Sequence, residues 1–166
     1  MIEKARKFAL QAHEGQRYGS KPYSVHLEAV SKLTVPYGEN AQIIAYLHDV
    51  VEDTSVTLDD VAHRFGQHIS DCVAIVTDEP GSDRAERKIK TNLKMSQVEP
   101  VLYEALIVKT ADRFANMRAC VLGKRDDLLA IYLSEYSDFK QGAFRQGLCD
   151  ELWDALDEIV DNQRQN

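Results

Sequence analysis

From one end of this chain to the other, apolar residues recur at intervals of three and four, and stretches that alternate apolar with polar are nearly absent. That period belongs to the α-helix, in which positions i, i+3, i+4 and i+7 share a face. Ile2, Ala5, Phe8, Ala9 and Ala12 make one such face, which predicts an amphipathic helix over residues 2–15. GQRYGSKPY, from Gly15 to Tyr23, holds two glycines and a proline and reads as a loop. Further helices are expected over about 26–35 and 41–53. Thr57-Leu58-Asp59-Asp60 has the form of a capping box, opening a short helix that breaks at Gly66 before another runs to about Val76. Asp83, with Glu86 three residues on, opens a strongly charged helix that reaches Gln97. The longest helix is expected over about 100–122, with Ile107, Phe114, Met117 and Val121 as its buried stripe. Two more close the chain over about 126–145 and 148–161, the last burying Leu148, Leu152, Leu156 and Ile159 with Trp153 beside them. The expectation is an all-α bundle of about eight to ten helices. At 166 residues, with no repeat, linker or low-complexity tract, it is expected to be one domain over 1–166.

Hydrophobic residues at 44% and charged ones at 28% argue for a folded globular chain rather than disorder. The formal net charge of −7 makes it a poor candidate for nonspecific nucleic-acid binding, which needs a basic face. A small phosphorylated ligand needs only a local basic patch and stays open. Cys72, Cys120 and Cys149 are odd in number and form no CxxC pair, so they read as reduced core residues of a cytoplasmic protein. The first sixteen residues carry charges among their apolar positions and match neither a secretory signal nor a membrane span. A cytoplasmic chain with no membrane partner is expected, and its oligomeric state is not legible.

The chemistry concentrates in His48-Asp49-Val50-Val51-Glu52-Asp53-Thr54. On a continuous helix, positions i, i+1, i+4 and i+5 lie on one side, so His48, Asp49, Glu52 and Asp53 could face one cavity. The bland alternative is an acidic, solvated helix end. A single helix face reaches only part of a cation's coordination sphere, so a metal site needs ligands from other segments. His26 and Asp112 are the candidates for the third and fourth ligands. Imidazoles mixed with carboxylates suit Mn²⁺, Fe²⁺ or Zn²⁺.

The series His26, His48-Asp49 and Asp112 resembles the HD superfamily of metal-dependent phosphohydrolases. More narrowly, the chain is similar to the alarmone-hydrolase domain of RelA/SpoT homologues and to the small stand-alone alarmone hydrolases. The motifs that carry the resemblance are AHEGQ (12–16), PY before His26, HDVVEDT (48–54), TLDDV with a following FG (57–66) and KTADRFANMR (109–118). The resemblance implies that His26, His48, Asp49 and Asp112 bind one Mn²⁺ and that Glu52 and Asp53 handle the water. It implies removal of pyrophosphate from the ribose 3′ position of ppGpp or pppGpp. Asn116 matches a residue that contacts the nucleoside, Tyr136 a tyrosine near the ligand, and Arg17 a basic residue that packs on the purine. Lys21, Lys109 and Arg113 complete the expected substrate contacts. Arg84, Arg87, Lys88 and Lys90 read first as a solvated helix face and second as a phosphate collar.

The chain also departs from the family. Its loop between Gln16 and Pro22 is one residue shorter than in the long enzymes, Leu27 stands where proline is usual, and Ala119 stands where threonine is frequent. No synthetase segment follows the motifs in this sequence. These departures spare the metal chemistry and weaken base recognition, so the adenosine analogue of the alarmone is expected to be accepted too. Two other readings stay open: a generic HD nucleotide phosphohydrolase, and a sensor that binds alarmone without turning it over.

Overall fold

The structure, a computed structural model, describes residues 1–164. In chain order the α-helices are α1 (Ile2–Ala12), α2 (Ser24–Thr34), α3 (Glu39–Leu47), α4 (Val50–Asp53), α5 (Leu58–Phe65), α6 (Gln67–Val76), α7 (Arg84–Ser96), α8 (Tyr103–Gly123), α9 (Asp126–Ala143) and α10 (Asp150–Arg164). Short 3-10 turns occupy Val35–Tyr37 and Pro100–Leu102. The only strands among the described residues are β1 (Arg17–Tyr18) and β2 (Lys21–Pro22), paired antiparallel as Arg17 with Pro22 and Tyr18 with Lys21. The protein is all-α, as its periodicity predicts.

The bundle is built around α8. Every residue from Ala105 to Ala111 is buried, so this stretch has no solvated face and must lie inside a ring of other helices. α2, α3, α6, α9 and α10 supply that ring. Lys109, Thr110 and Arg113 are buried with it, which obliges the structure to provide each with polar partners.

Local side-chain caps set the starts of α5 and α7. Thr57 Oγ1 accepts from the Asp60 amide at 3.2 Å while the Thr57 amide donates to Asp60 Oδ2 at 2.9 Å, so the expected capping box forms at α5. At α7, Asp83 Oδ1 accepts from the Glu86 amide at 2.9 Å, and Glu86 reaches back to accept from the Ser82 amide at 2.8 Å.

Several boundaries differ from the periodicity. The long helix begins at Tyr103 because Glu99 is extended ahead of Pro100 and residues 100–102 wind as a 3-10 turn. Val121, expected in its buried stripe, is 40% exposed, and Cys120 turns inward instead. The last helix starts at Asp150, whose carboxylate accepts from the Gly147 amide at 2.9 Å, and its buried residues are Leu152, Trp153, Leu156 and Val160. The glycine-rich loop closes into the small hairpin, with Gly19 at φ +61 in its turn.

The break with most consequence falls at His48-Asp49. A continuous helix over 41–53 is replaced by α3, two turn residues and the single turn of α4. His48 Nδ1 bonds the Ala45 carbonyl at 2.7 Å, taking up an acceptor near the end of α3, and Asp49 sits at φ −105 and ψ −4. The helix therefore stops where its side chains are needed.

Candidate active site

His26 stands in the first turn of α2, His48 and Asp49 at the α3–α4 break, and Asp112 in the middle of α8. These three segments bring four side chains to one point. His26 Nε2 lies 3.1 Å from His48 Nε2, 3.2 Å from Asp112 Oδ1 and 3.6 Å from Asp49 Oδ2. His48 Nε2 lies 2.9 Å from Asp49 Oδ2 and 3.6 Å from Asp112 Oδ1. His26, His48 and Asp112 form the tight core, with donor atoms all within 4.8 Å of one another, and Asp49 flanks them.

These residues fit a divalent cation. Because His48 Nδ1 carries the hydrogen donated to Ala45, the neutral ring presents a lone pair at Nε2. That lone pair faces another imidazole nitrogen and two carboxylates, an arrangement that requires positive charge at the centre. A bound metal supplies it, and so does a proton on His48. Without metal, burial lowers the His48 pKa, but Asp49 and Asp112 outweigh burial and hold it well above the usual imidazole value. Burial raises the carboxyls of Asp49 and Asp112, yet the facing imidazoles draw both below the ordinary carboxylate range.

Two tyrosines that periodicity does not single out brace the cluster. Tyr23 Oη donates to Asp49 Oδ2 at 2.5 Å and lies 3.2 Å from Asp53 Oδ2, while its ring stacks on the buried His13 with centroids 4.5 Å apart. Tyr18, in β1, stacks on His26 at 4.8 Å and donates to Asn116 Oδ1 at 2.7 Å. Asn116 Nδ2 in turn donates to Asp112 Oδ1 at 2.6 Å. The amide of Asn116 thus ties the hairpin to an aspartate of the cluster. The tyrosine that precedes His26 by three residues is the sequence signal that could have pointed to Tyr23.

Glu52 and Asp53 reach the same cavity from α4. The Asp78 amide donates to Glu52 Oε2 at 2.9 Å, and burial together with the Asp78 carboxylate raises the Glu52 pKa. Burial and Asp49 do the same for Asp53. Both acids are therefore better proton acceptors than ordinary surface carboxylates.

Cations line the other wall. Lys109 is buried, donates to the Val76 carbonyl at 2.7 Å and lies 3.5 Å from Asp78 Oδ1. Burial lowers its pKa, but Asp78, Asp112 and Glu52 raise it further, so it carries its charge. Lys88 Nζ donates to the other oxygen of Asp78 at 2.5 Å. Arg113 and Arg84 converge on Glu135 at 3.0 and 2.6 Å, and Arg113 lies 4.7 Å from the centre of the Tyr132 ring. Arg84 and Lys88, one turn apart on α7, reach the cavity, whereas Lys90 pairs with Glu86 at 2.6 Å.

The resulting cavity holds about 230 Å³ and is lined by His26, Asp49 and Asp112 of the cluster, the acid pair and these four cations, with His48 buried behind them. A groove of about 690 Å³ along α1, α2 and α8 is larger but contains none of the clustered donors. Chemistry, not size, marks the site. Among the expected substrate contacts, Lys109, Arg113 and Asn116 line the cavity. Arg17 and Lys21 sit on the hairpin outside its lining, and the Arg17 guanidinium donates to the Ser20 carbonyl of its own turn at 2.5 Å. Tyr136 is not brought to the site. Its hydroxyl donates to Asp157 Oδ1 at 2.6 Å, between α9 and α10. Tyr132, one turn earlier on α9, lines the cavity in its place.

Comparison with known proteins identifies the family and the fold. A profile of the HD domain family matches residues 5–132. The GTP pyrophosphokinase rsh of Brucella melitensis is 31% identical over 166 residues, covering 96% of this chain and 22% of that protein. The chain thus spans about a fifth of the length of such relatives. The guanosine-3′,5′-bis(diphosphate) 3′-pyrophosphohydrolase MESH1 of Xenopus tropicalis is 33% identical over 125 residues, covering 71% of this chain and 68% of that protein. A solved metazoan SpoT orthologue, described as hydrolysing ppGpp, superposes with a TM-score of 0.84 at 25% identity over 98% of this chain and 94% of its own. A Listeria monocytogenes structure, at 23% identity and a TM-score of 0.63, shares the fold.

Proposed function

Because this chain belongs to the HD-domain family, we propose that it is a Mn²⁺-dependent hydrolase that removes pyrophosphate from the 3′ position of a guanosine 3′,5′-bis(diphosphate). One observation carries the reading. A cluster of two imidazoles and two carboxylates opens into the same cavity as an acid pair with raised pKa values and four cations. His26, His48, Asp49 and Asp112 would hold the metal, which supplies Lewis acidity toward the phosphoryl group and its attacking water.

The chain's own residues do the rest. Lys88, Lys109, Arg84 and Arg113 offer positive charge to a substrate carrying four phosphates, and their present partners Asp78 and Glu135 keep them in place before it arrives. Glu52, held at one oxygen by the Asp78 amide, takes the proton released by the attacking water. Asp53, beside the Tyr23 hydroxyl, orients that water. The bond that breaks is the one between the 3′ oxygen and phosphorus, and the departing oxygen takes a proton from solvent, so the products are a 3′-hydroxyl and inorganic pyrophosphate. Tyr132 and Asn116 line the wall where the nucleoside packs.

The test is incubation of metal-loaded protein with the alarmone, in wild type and in Asp112→Ala. Pyrophosphate from wild type alone, with helical content equal in both, supports the reading. An Asp112→Ala protein with full turnover and stoichiometric metal removes it.

A further inference from the structure

The mechanism makes no use of a second group of ligand-type side chains on α6 and α8. His68 and Cys72 lie one turn apart on α6, and Glu104 lies in the first turn of α8. His68 Nε2 is 3.4 Å from Glu104 Oε2, and one donor atom from each of the three residues lies within 4.8 Å of the others. Two ligands held about 2.1 Å from a tetrahedral zinc ion are separated by about 3.4 Å, so the His68–Glu104 spacing already suits one. Cys72 is fully buried, and the Ala105 amide is directed at its sulfur. That amide belongs to the N-terminal turn of α8, where backbone N–H groups favour negative charge.

We propose that His68, Cys72 and Glu104 form a second metal site, separate from the histidine–aspartate cluster, that takes one ion of the Zn²⁺ class and clamps α6 to α8. The thiolate sets its selectivity. Sulfur beside nitrogen and oxygen favours Zn²⁺ or Co²⁺ over Mn²⁺ and Mg²⁺, whereas the other cluster offers nitrogen and oxygen alone. The ion enters from the surface, since the side chains of His68 and Glu104 are 37% and 28% exposed. Three protein ligands leave a fourth position for water. Without the ion, burial and the neighbouring Glu104 carboxylate hold the Cys72 thiol up at about 12. Binding exchanges the thiol proton for the metal and releases that proton to solvent. The clamp has a structural consequence for the catalytic cavity, because α6 ends at Val76, whose carbonyl holds Lys109, and α8 carries Asp112.

Titration of the full chain with Co²⁺ tests this. A thiolate-to-cobalt charge-transfer band arises only where sulfur binds the ion, so it reports this site and not the other cluster. Two equivalents, enough to fill both sites, should produce the band in wild type and in Cys120→Ser, and one should suffice in Asp112→Ala. Cys72→Ser should abolish it. His68→Ala and Glu104→Gln alter half-buried side chains and keep the buried sulfur in place, and each should weaken Co²⁺ binding at this site by at least about tenfold, the loss that removing even an outer partner of a ligand produces. No band in folded wild type overturns the proposal, and so does a band that survives Cys72→Ser or keeps full affinity in both His68→Ala and Glu104→Gln. Because the readout is independent of turnover, its failure leaves the hydrolase reading intact.

Discussion

Lys109→Met is the substitution whose cost follows most directly from the structure. It removes a charge but keeps a side chain of similar length. The ammonium is buried against the Val76 carbonyl at 2.7 Å and the Asp78 carboxylate at 3.5 Å. At an effective dielectric near 20, opposite charges at that separation attract by about 5 kcal/mol before desolvation is subtracted. What remains after the substitution is a side chain of Asp78 only 4% exposed, with Lys88 as its single cation, and a buried carbonyl without its donor. Removing one partner of a buried pair costs about 3–5 kcal/mol because the other charge stays behind. In urea, with a slope of roughly 2–3 kcal/mol per molar, the unfolding midpoint should drop by about 1–2 M with the slope unchanged. The double variant Lys109→Met/Asp78→Asn should lose less than the two single losses added, by about 1–3 kcal/mol, since the carboxylate that Lys109→Met leaves short of a cation is itself removed. Lys88, whose pKa is lowered by burial and then by Lys109, should titrate at higher pH once Lys109 is gone. A loss below about 1 kcal/mol, or strict additivity in the double variant, would refute the idea that this pair is a coupled buried unit.

Three further outcomes are expected. Glu52→Gln keeps the shape and the metal but removes the proton acceptor, so turnover should fall by about 10²- to 10⁴-fold while Mn²⁺ stoichiometry stays at wild type; a variant that no longer binds metal would make Glu52 a ligand. Burial raises the Glu135 pKa but Arg84 and Arg113 lower it further, so the stability it contributes is present above its unfolded value and is lost as pH falls through the depressed folded value. Glu135→Gln should therefore flatten the acid limb of a urea-midpoint profile between about pH 5 and 2, and an unchanged limb contradicts that assignment. Gly142 lets α9 approach α7 so closely that an added Cβ would lie 2.7 Å from the Asn92 carbonyl, and Gly142→Ala should cost about 1–3 kcal/mol by thermal unfolding, whereas a neutral result would mean the two helices separate freely.

Much of this architecture can be read from spacing alone, for identifiable reasons. The α5 and α7 starts depend on bonds within four residues, Thr57 with Asp60 and Asp83 with Glu86, so a local pattern contains all the information. The break at His48-Asp49 does not, because periodicity through Leu47, Val50 and Val51 continues unbroken while the His48 ring takes up the Ala45 carbonyl. Val121 illustrates another limit: helical phase cannot say where neighbouring helices stop covering a long one. In the site, His26, His48, Asp49 and Asp112 carry ligand chemistry in their residue type, which makes them visible as candidates. Tyr18 is hidden because a tyrosine has no chemistry that marks it and its hairpin is too short to show alternation, while Tyr23 is visible only as part of the PY motif, without its bond to Asp49. That Tyr132 meets the cavity and the expected Tyr136 does not depends on the rotation of α9, which packing against α7 and α8 decides.

The most direct test of the central claim is to run the reaction in heavy-oxygen water and weigh both products. Metal-loaded protein acting on guanosine 3′,5′-bis(diphosphate) should release one pyrophosphate carrying a single heavy oxygen, leaving an unlabelled 3′-hydroxyl on guanosine 5′-diphosphate. Release of orthophosphate, label in the nucleoside product, or no product from protein with a filled metal site would contradict the account.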